Sequence, residues 1–200
     1  MRLLSWGLGV WGLAGLLVLA SAAQSQANWP DRPVRVIVPF PASGATDLVA
    51  RVVTQRVAAD LGQQLVVDNK PGAGGALGTA EAAKAAPDGY TLLLTTSSTH
   101  AISPHLMPKL AYDPRKDFTP VAHVADAPSV LLVTNSLPVK TVGELITYAK
   151  AHPGKLNYAT SGNGTIVHLN TAAFSAQAGV EMTHIPYKGT ALAKIGRAHV

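Results

Sequence analysis

Five short apolar runs in this 200-residue chain each end in a loop of glycine and hydroxyl side chains, and helix-like amphipathic sequence follows. A strand, a polar loop and a helix N-terminus form the repeating unit of open α/β sheets, and such loops hold small anions. The loops read PASGATD, NKPGAGGALGT, TTSSTHA, TSGNGT and YKGT. Their repetition predicts parallel sheets with right-handed crossovers, and a loop-lined pocket that binds a ligand.

The N-terminus has the pattern of a secretory signal peptide, assigned here to residues 1–27. Arg2 precedes an apolar stretch from Leu3 to Ala23, and small residues then predict cleavage after Ala27 or after Ala22. An uncleaved membrane anchor is the alternative, because the stretch is long enough to span a bilayer.

Composition narrows the class of protein. The chain has no cysteine, so an exported domain of this length must be stabilised by core packing, which favours an α/β fold. Its net charge is +5, but the basic residues are scattered, and we expect no nucleic-acid partner. The seven histidines show no paired helical spacing, and we expect neither a metal nor a cofactor.

Periodicity and capping signals place the elements. A helix is predicted after Asp47, capped by Thr46 or Asp47 and stopped by Gly62. An Ala-rich helix is predicted near Ala76 to Ala86. The remaining predictions are a fully buried strand at Thr91 to Thr96, extended segments at Phe118 to Ala125 and Ser129 to Thr134, a capping box of Thr141 and Glu144 before a helix that ends near His152, and a helix at Ile166 to Ala178 with Gly179 as its C-cap.

The two extended segments mark a candidate domain crossing. We therefore predict a first α/β domain at residues 28–125 and a second, incomplete α/β domain at residues 126–194. The final IGRAHV matches the translation of a common sequencing adapter. Our hypothesis is that residues 195–200 are a non-native tail on a truncated reading frame.

Several loop residues allow two interpretations. Gly74 and Gly75 either form a tight turn or let backbone N–H groups approach a ligand, while a dinucleotide site is disfavoured because Lys70 and Pro71 separate the loop from its strand. His168 either bonds the loop backbone or contacts the ligand. Phe40 and Tyr187 are predicted pocket walls. Lys188 is either solvated or a carboxylate partner.

The ordered motifs VPFPASGATD, DNKPGAGGALGT, TTSSTHAISPHL, YATSGNGTIVHL and HIPYKGT resemble those of the Bug/TctC family from about Trp29 to Thr190. This resemblance implies a type II periplasmic binding protein, with two α/β domains and a ligand cleft between them. It implies a periplasmic, monomeric, non-enzymatic protein that captures a small carboxylate or related polar metabolite, and the membrane subunits of a tripartite tricarboxylate transporter as partners.

Carried over by position, the resemblance implies ligand-binding roles for Phe40, Gly44, Ala45, Thr46, Asp47, Gly74, Gly75, Ser97, Ser98, His100, Ala101, Ser161, Gly162, Gly164, Thr165, His168, Pro186, Tyr187 and Lys188. No arginine stands in these loops, which leaves the ligand's identity open. Two other functions stay open at this point. One is an exported α/β hydrolase with Ser161 and His168, although Ala159 replaces the glycine of a nucleophile elbow. The other is a ligand sensor for a signalling system.

Overall fold

The structure is a computed structural model that describes residues 29–196, so the predicted signal peptide and residues 197–200 of the predicted tail lie outside the described residues. The chain divides into two compact units, Met1–Arg32 and Pro33–Val200, and the fold below is that of the second. No helix among residues 29–196 is both long enough and apolar enough to cross a membrane.

Strands and helices alternate along the chain, as the loop pattern predicts. In order, they are β1 (Val34–Val38), α1 (Ala45–Leu61), β2 (Leu65–Asn69), a 3-10 turn (Ala73–Gly75), α2 (Ala76–Ala83), β3 (Thr91–Leu93), a π-helical turn (Ser98–Ile102), α3 (Ser103–Leu106), α4 (Val142–Ala151), β4 (Leu156–Thr160), α5 (Ile166–Ala178), β5 (Met182–Pro186) and α6 (Thr190–Gly196).

These strands form two parallel sheets, which confirms the predicted sheet type. The first sheet has the order β2-β1-β3, and the second pairs β4 with β5. β1 is central, with Val36 opposite both Val67 and Leu92. Because β1 has a strand on each side, its residues Ile37 and Val38 are fully buried and form the centre of the core.

Most helix ends follow the predicted chemistry. Gly62 ends α1 with a φ of 67°, and Gly179 ends α5 with a φ of 63°, both in the left-handed region that glycine adopts without strain. Thr141 Oγ1 accepts the Glu144 N–H at 3.2 Å, so the predicted cap of α4 is confirmed. The predicted cap of α1 is wrong: the N-cap is Gly44, and it makes no side-chain capping bond.

Two other predictions need correction. α2 ends at Ala83, three residues before Ala86, and β3 spans only Thr91–Leu93, whose side chains are half-buried. The predicted extended segments stay a prediction: within the described part of the chain, residues 118–134 form no strand. Val121 is 83% exposed and Val130 73% exposed. An extended run becomes a strand only by pairing with a neighbour, and within residues 33–196 neither sheet pairs with this segment. The predicted domain boundaries stay a prediction.

Candidate ligand-binding site

Parallel strands bring the predicted loops to common edges. Residues 39–44, 70–75 and 94–98 follow β1, β2 and β3, and therefore lie together at the carboxyl edge of the first sheet. Residues 161–165 and 187–189 follow β4 and β5 at the corresponding edge of the second sheet. We call these five segments the strand-end loops. In open α/β sheets this edge is where ligands bind.

The strand-end loops of one sheet contact those of the other. A Cβ atom added at Gly74 would lie 2.9 Å from the Asn163 carbonyl oxygen, and one added at Gly189 would lie 2.6 Å from Pro41 Cδ. The Ile166 N–H, at the start of α5, donates to Ser98 Oγ at 3.1 Å. The two sets of loops therefore meet through backbone atoms, and glycine makes this close approach sterically allowed.

Asp47 organises the first-sheet loops. Its carboxylate is 1% exposed and accepts from the Ser43 N–H at 2.8 Å, from Asn69 Nδ2 at 3.0 Å and from Arg51 Nε at 3.0 Å. Asn69 Nδ2 also donates to the Phe40 carbonyl. Burial opposes ionisation of this group, but the hydrogen bonds from Arg51, Ser43 and Asn69 outweigh it and lower the pKa of Asp47. Asp47 therefore joins the loop after β1 to the end of β2.

The loop after β2 is formed by glycines with positive φ. Gly74 has a φ of 63° and Gly75 a φ of 99°. A Cβ atom at Gly75 would lie 2.6 Å from Thr99 Cγ2 and 3.1 Å from Phe40 Cζ. Gly75 therefore packs inside the first sheet's own loops, whereas Gly74 faces the second sheet.

Hydroxyl groups fill the loop after β3. Thr95 Oγ1 lies 2.7 Å from His100 Nδ1, and the Tyr112 hydroxyl donates to the Thr99 carbonyl at 2.6 Å. Burial lowers the pKa of His100. Thr96 Oγ1 is different: among the described residues it is the one buried side-chain polar atom without a hydrogen-bond partner. A hydroxyl in this position is free to bond a ligand or a water molecule.

The loop after β4 is held by its own side chains. Ser161 Oγ donates to Thr165 Oγ1 at 3.1 Å, and Thr165 Oγ1 donates to the Gly162 carbonyl at 2.8 Å. His168 Nδ1 accepts the Gly164 N–H at 3.2 Å. His168 thus bonds the loop backbone, which is one of its two predicted roles. Because Ser161 donates to Thr165, the serine–histidine hydrogen bond of a hydrolase is not formed.

A small pocket of 230 Å³ lies where the loops of the two sheets meet. Its walls include seven of the predicted site residues: Phe40, Gly74, Gly75, Ser161, Pro186, Tyr187 and Lys188. Lys188 is the one positively charged side chain among the described residues that line it. The pocket is slightly smaller than the sites of drug-sized ligands, which suits a small metabolite.

The walls of this pocket also include five residues that were not predicted as site residues. Pro39, Gly72, Ala73 and Asn163 lie within the quoted motifs, so their place in the motifs was the available signal. Met107 directly follows the motif TTSSTHAISPHL and the end of α3, and the fold brings it to the pocket.

A second cavity of 2370 Å³ opens beside the small pocket, and Phe40, Ser161 and Tyr187 line both. It is larger than ordinary ligand sites, and the exposed residues 118–134 form part of its wall. Six further predicted residues line it: Gly44, Ala45, Thr46, Ser97, Ser98 and His100. The remaining six line neither cavity: Asp47, Ala101, Gly162, Gly164, Thr165 and His168.

Comparison with known proteins gives consistent matches. Residues 49–196 match the family model described as tripartite tricarboxylate transporter family receptor, TctC. Protein BugT of Bordetella pertussis is 42% identical over 171 residues, which cover 85% of this chain and 52% of BugT. The chain thus spans about half the length of the curated relatives it matches.

Solved structures agree with these matches. R. palustris Rpa4515 with adipate has a TM-score of 0.84 and 41% identity, over 86% of this chain and 57% of that one. MatC (Rpa3494) from Rhodopseudomonas palustris with bound malate has a TM-score of 0.79 and 39% identity, over 86% and 58%.

Proposed function

We infer a function from one premise: the chain belongs to the tripartite tricarboxylate transporter receptor family, TctC. The expected resemblance and the α/β periplasmic-binding-protein fold are therefore confirmed. We propose that the chain is part of a periplasmic solute-binding protein that captures a small carboxylate and delivers it to the membrane subunits of a tripartite transporter. Its N-terminal signal-peptide pattern supports export to the periplasm.

One observation carries this proposal: backbone-rich loops from two parallel sheets enclose a small pocket between them. Gly74 lines the pocket without a side chain, so its backbone N–H can approach an anion closely, whereas the Gly75 N–H donates to the Gly72 carbonyl at 2.9 Å. Lys188 adds the positive charge that a carboxylate requires.

The ligand class is proposed from the relatives and the pocket together. Rpa4515 was solved with adipate and MatC with malate, so similar folds hold dicarboxylates of four and six carbon atoms. No arginine lines the small pocket among the described residues, so selection falls to amides, hydroxyls and Lys188. We therefore propose a small mono-, di- or tricarboxylate, held by hydrogen bonds from the backbone.

The test is a ligand screen on the purified full-length receptor of which this chain is a part. Adipate, malate and a tricarboxylate are compared with a neutral sugar and a cationic amino acid, by thermal unfolding and calorimetric titration. A carboxylate at a hundredfold its Kd should stabilise the protein by about 2.7 kcal/mol. A screen in which only the sugar or the cationic amino acid raises Tm would contradict the proposal. An ester substrate in the same screen tests the hydrolase alternative, for which we expect no turnover.

A further inference from the structure

Three aromatic rings form a column beneath the loop that follows β4. Tyr158 on β4 pairs with His184 on β5, and their rings stack with centroids 4.9 Å apart. His168 on α5 also stacks on His184, with ring centroids 4.1 Å apart and an interplanar angle of 12°. Both histidines are half-buried. The titratable groups of this column come one from each of the three packed elements, β4, β5 and α5.

Both imidazoles hold the Thr160–Thr165 loop. His168 Nδ1 accepts the Gly164 N–H at 3.2 Å. His184 Nε2 lies 2.6 Å from Thr160 Oγ1, which in turn accepts the Gly162 N–H at 3.2 Å. The two glycines have φ values of 130° and 72°, so the loop adopts a shape that few other sequences allow. The histidine contacts therefore fix both halves of this loop.

The hydrogen-bond pattern requires a neutral His168. A backbone N–H is always a donor, so Nδ1 of His168 must be without a proton to accept from Gly164. Protonation would place a second donor against the Gly164 N–H and abolish this bond. It would also place a positive charge against the stacked ring of His184. Burial and the neighbouring His168 lower the pKa of His184.

The loop is also the part of the second sheet that meets the candidate site. Ser161 lines the small pocket, while Asn163 and Thr165 lie against Gly74 of the facing loop. A change in the loop's backbone would therefore move a pocket wall and the contact between the two sets of strand-end loops.

We propose that His168 and His184 are positioning residues that hold the Thr160–Thr165 loop in its ligand-binding shape while Nδ1 of His168 carries no proton, so that acid pH weakens ligand binding. This inference rests on the proposed function for its ligand, but not for its structural step.

The first experiment needs no ligand. The amide resonance of Gly164 is followed by NMR in the wild-type protein from pH 8 to pH 5.5. We expect it to titrate as the hydrogen bond to His168 is lost, and to lose its protection from hydrogen exchange. A Gly164 amide that is insensitive to pH, in protein that remains folded by circular dichroism, overturns the inference. This measurement gives a result even if no carboxylate binds. Failure of this inference can therefore be told apart from failure of the proposed function.

The second experiment measures Kd for adipate and for malate over the same pH range. In wild type we expect binding to weaken about two- to tenfold beyond the effect of the ligand's own protonation, because one hydrogen bond is lost. His168→Asn keeps an oxygen that can accept from Gly164 but cannot be protonated at these pH values. Whatever its Kd at pH 8, this variant should lose the extra weakening of binding in acid.

His152→Asn is the matched control. His152 is exposed and stacks on Tyr148 at 4.2 Å, but lies at the end of α4 and not in the column. This variant should keep the wild-type pH profile. If His168→Asn keeps it as well, the inference is wrong. The ligand's own titration is common to all three proteins, so it cancels in the comparison.

Discussion

The contact between Gly74 and the facing loop can be tested with one methyl group. In Gly74→Ala the new Cβ would lie 2.9 Å from the Asn163 carbonyl oxygen, whereas an ordinary van der Waals contact begins at 3.4 Å. The facing loop must therefore retreat by about 0.5 Å, the difference between these distances. Overpacking of this kind typically costs about 1–3 kcal/mol.

Gly179→Ala is a matched control because it shares the backbone conformation without the contact. Gly179 has the same φ of 63°, and nothing lies within 4 Å of a Cβ added there. Both variants should lose about 1–2 kcal/mol of unfolding free energy from the left-handed conformation of alanine. The comparison therefore isolates the contact between the two sets of loops.

We expect Gly74→Ala to bind adipate or malate about 5- to 150-fold more weakly than Gly179→Ala. The reason is that steric repulsion of about 1–3 kcal/mol destabilises the arrangement in which the two sets of loops meet. Calorimetric titration gives Kd, and urea unfolding gives the stability of each variant. Equal affinity in the two variants would refute the reasoning, since it would mean that ligand binding does not require the loops to meet at Gly74.

Three further predictions concern other described residues. Thr96→Val should weaken carboxylate binding if the free hydroxyl bonds the ligand, and should leave stability unchanged or slightly higher, since no hydrogen bond within the protein is lost; unchanged Kd by titration would exclude Thr96 from the site. Asp47→Asn should destabilise the protein by about 1–3 kcal/mol at neutral pH. The pKa of Asp47 in the folded state lies below its unfolded value of about 3.9, so the stabilisation is present above that pH and is lost as pH falls through the folded pKa. The unfolding free energies of wild type and variant, measured with urea, should therefore converge in acid. Parallel pH curves of the two proteins would contradict this. Residues 28–200 expressed alone should bind a hydrophobic dye and aggregate, because Val121, Val130, Leu131 and Leu132 are each more than half exposed; cooperative melting without dye binding would show otherwise.

Local signals in the sequence were sufficient for much of the fold. α5 was predicted at its observed bounds, from its apolar run and Gly179. The N-cap of α1 was misplaced because Asp47 can bond upstream: its carboxylate accepts from Ser43 instead of capping the helix. Residues 118–134 form no strand, because apolar, β-branched sequence gives a capacity to pair but does not supply the partner strand.

For the site, too, local sequence motifs were sufficient for some residues, whereas others depend on tertiary packing. Motif residues such as Gly74 and Ser161 lie in loops whose position is fixed by strand order, so they meet at the small pocket. Met107 reaches that pocket through tertiary packing, which no local pattern encodes. Ligand roles for the nineteen residues carried over from the resemblance stay predictions. The side chains of Asp47 and His168, in particular, accept hydrogen bonds from groups of the loops themselves.

The bond from the Ile166 N–H to Ser98 Oγ contributes to the contact between the two sets of strand-end loops. The first amides of a helix have no partner within the helix, so α5 completes its own N-terminus with a hydroxyl from the other sheet. Moving the sheets apart would return that amide to water at a net loss of about 0.5–1.5 kcal/mol. This single bond thus favours the observed contact about two- to tenfold over separated loops. Ser98→Ala would remove that contribution without removing a wall of the small pocket.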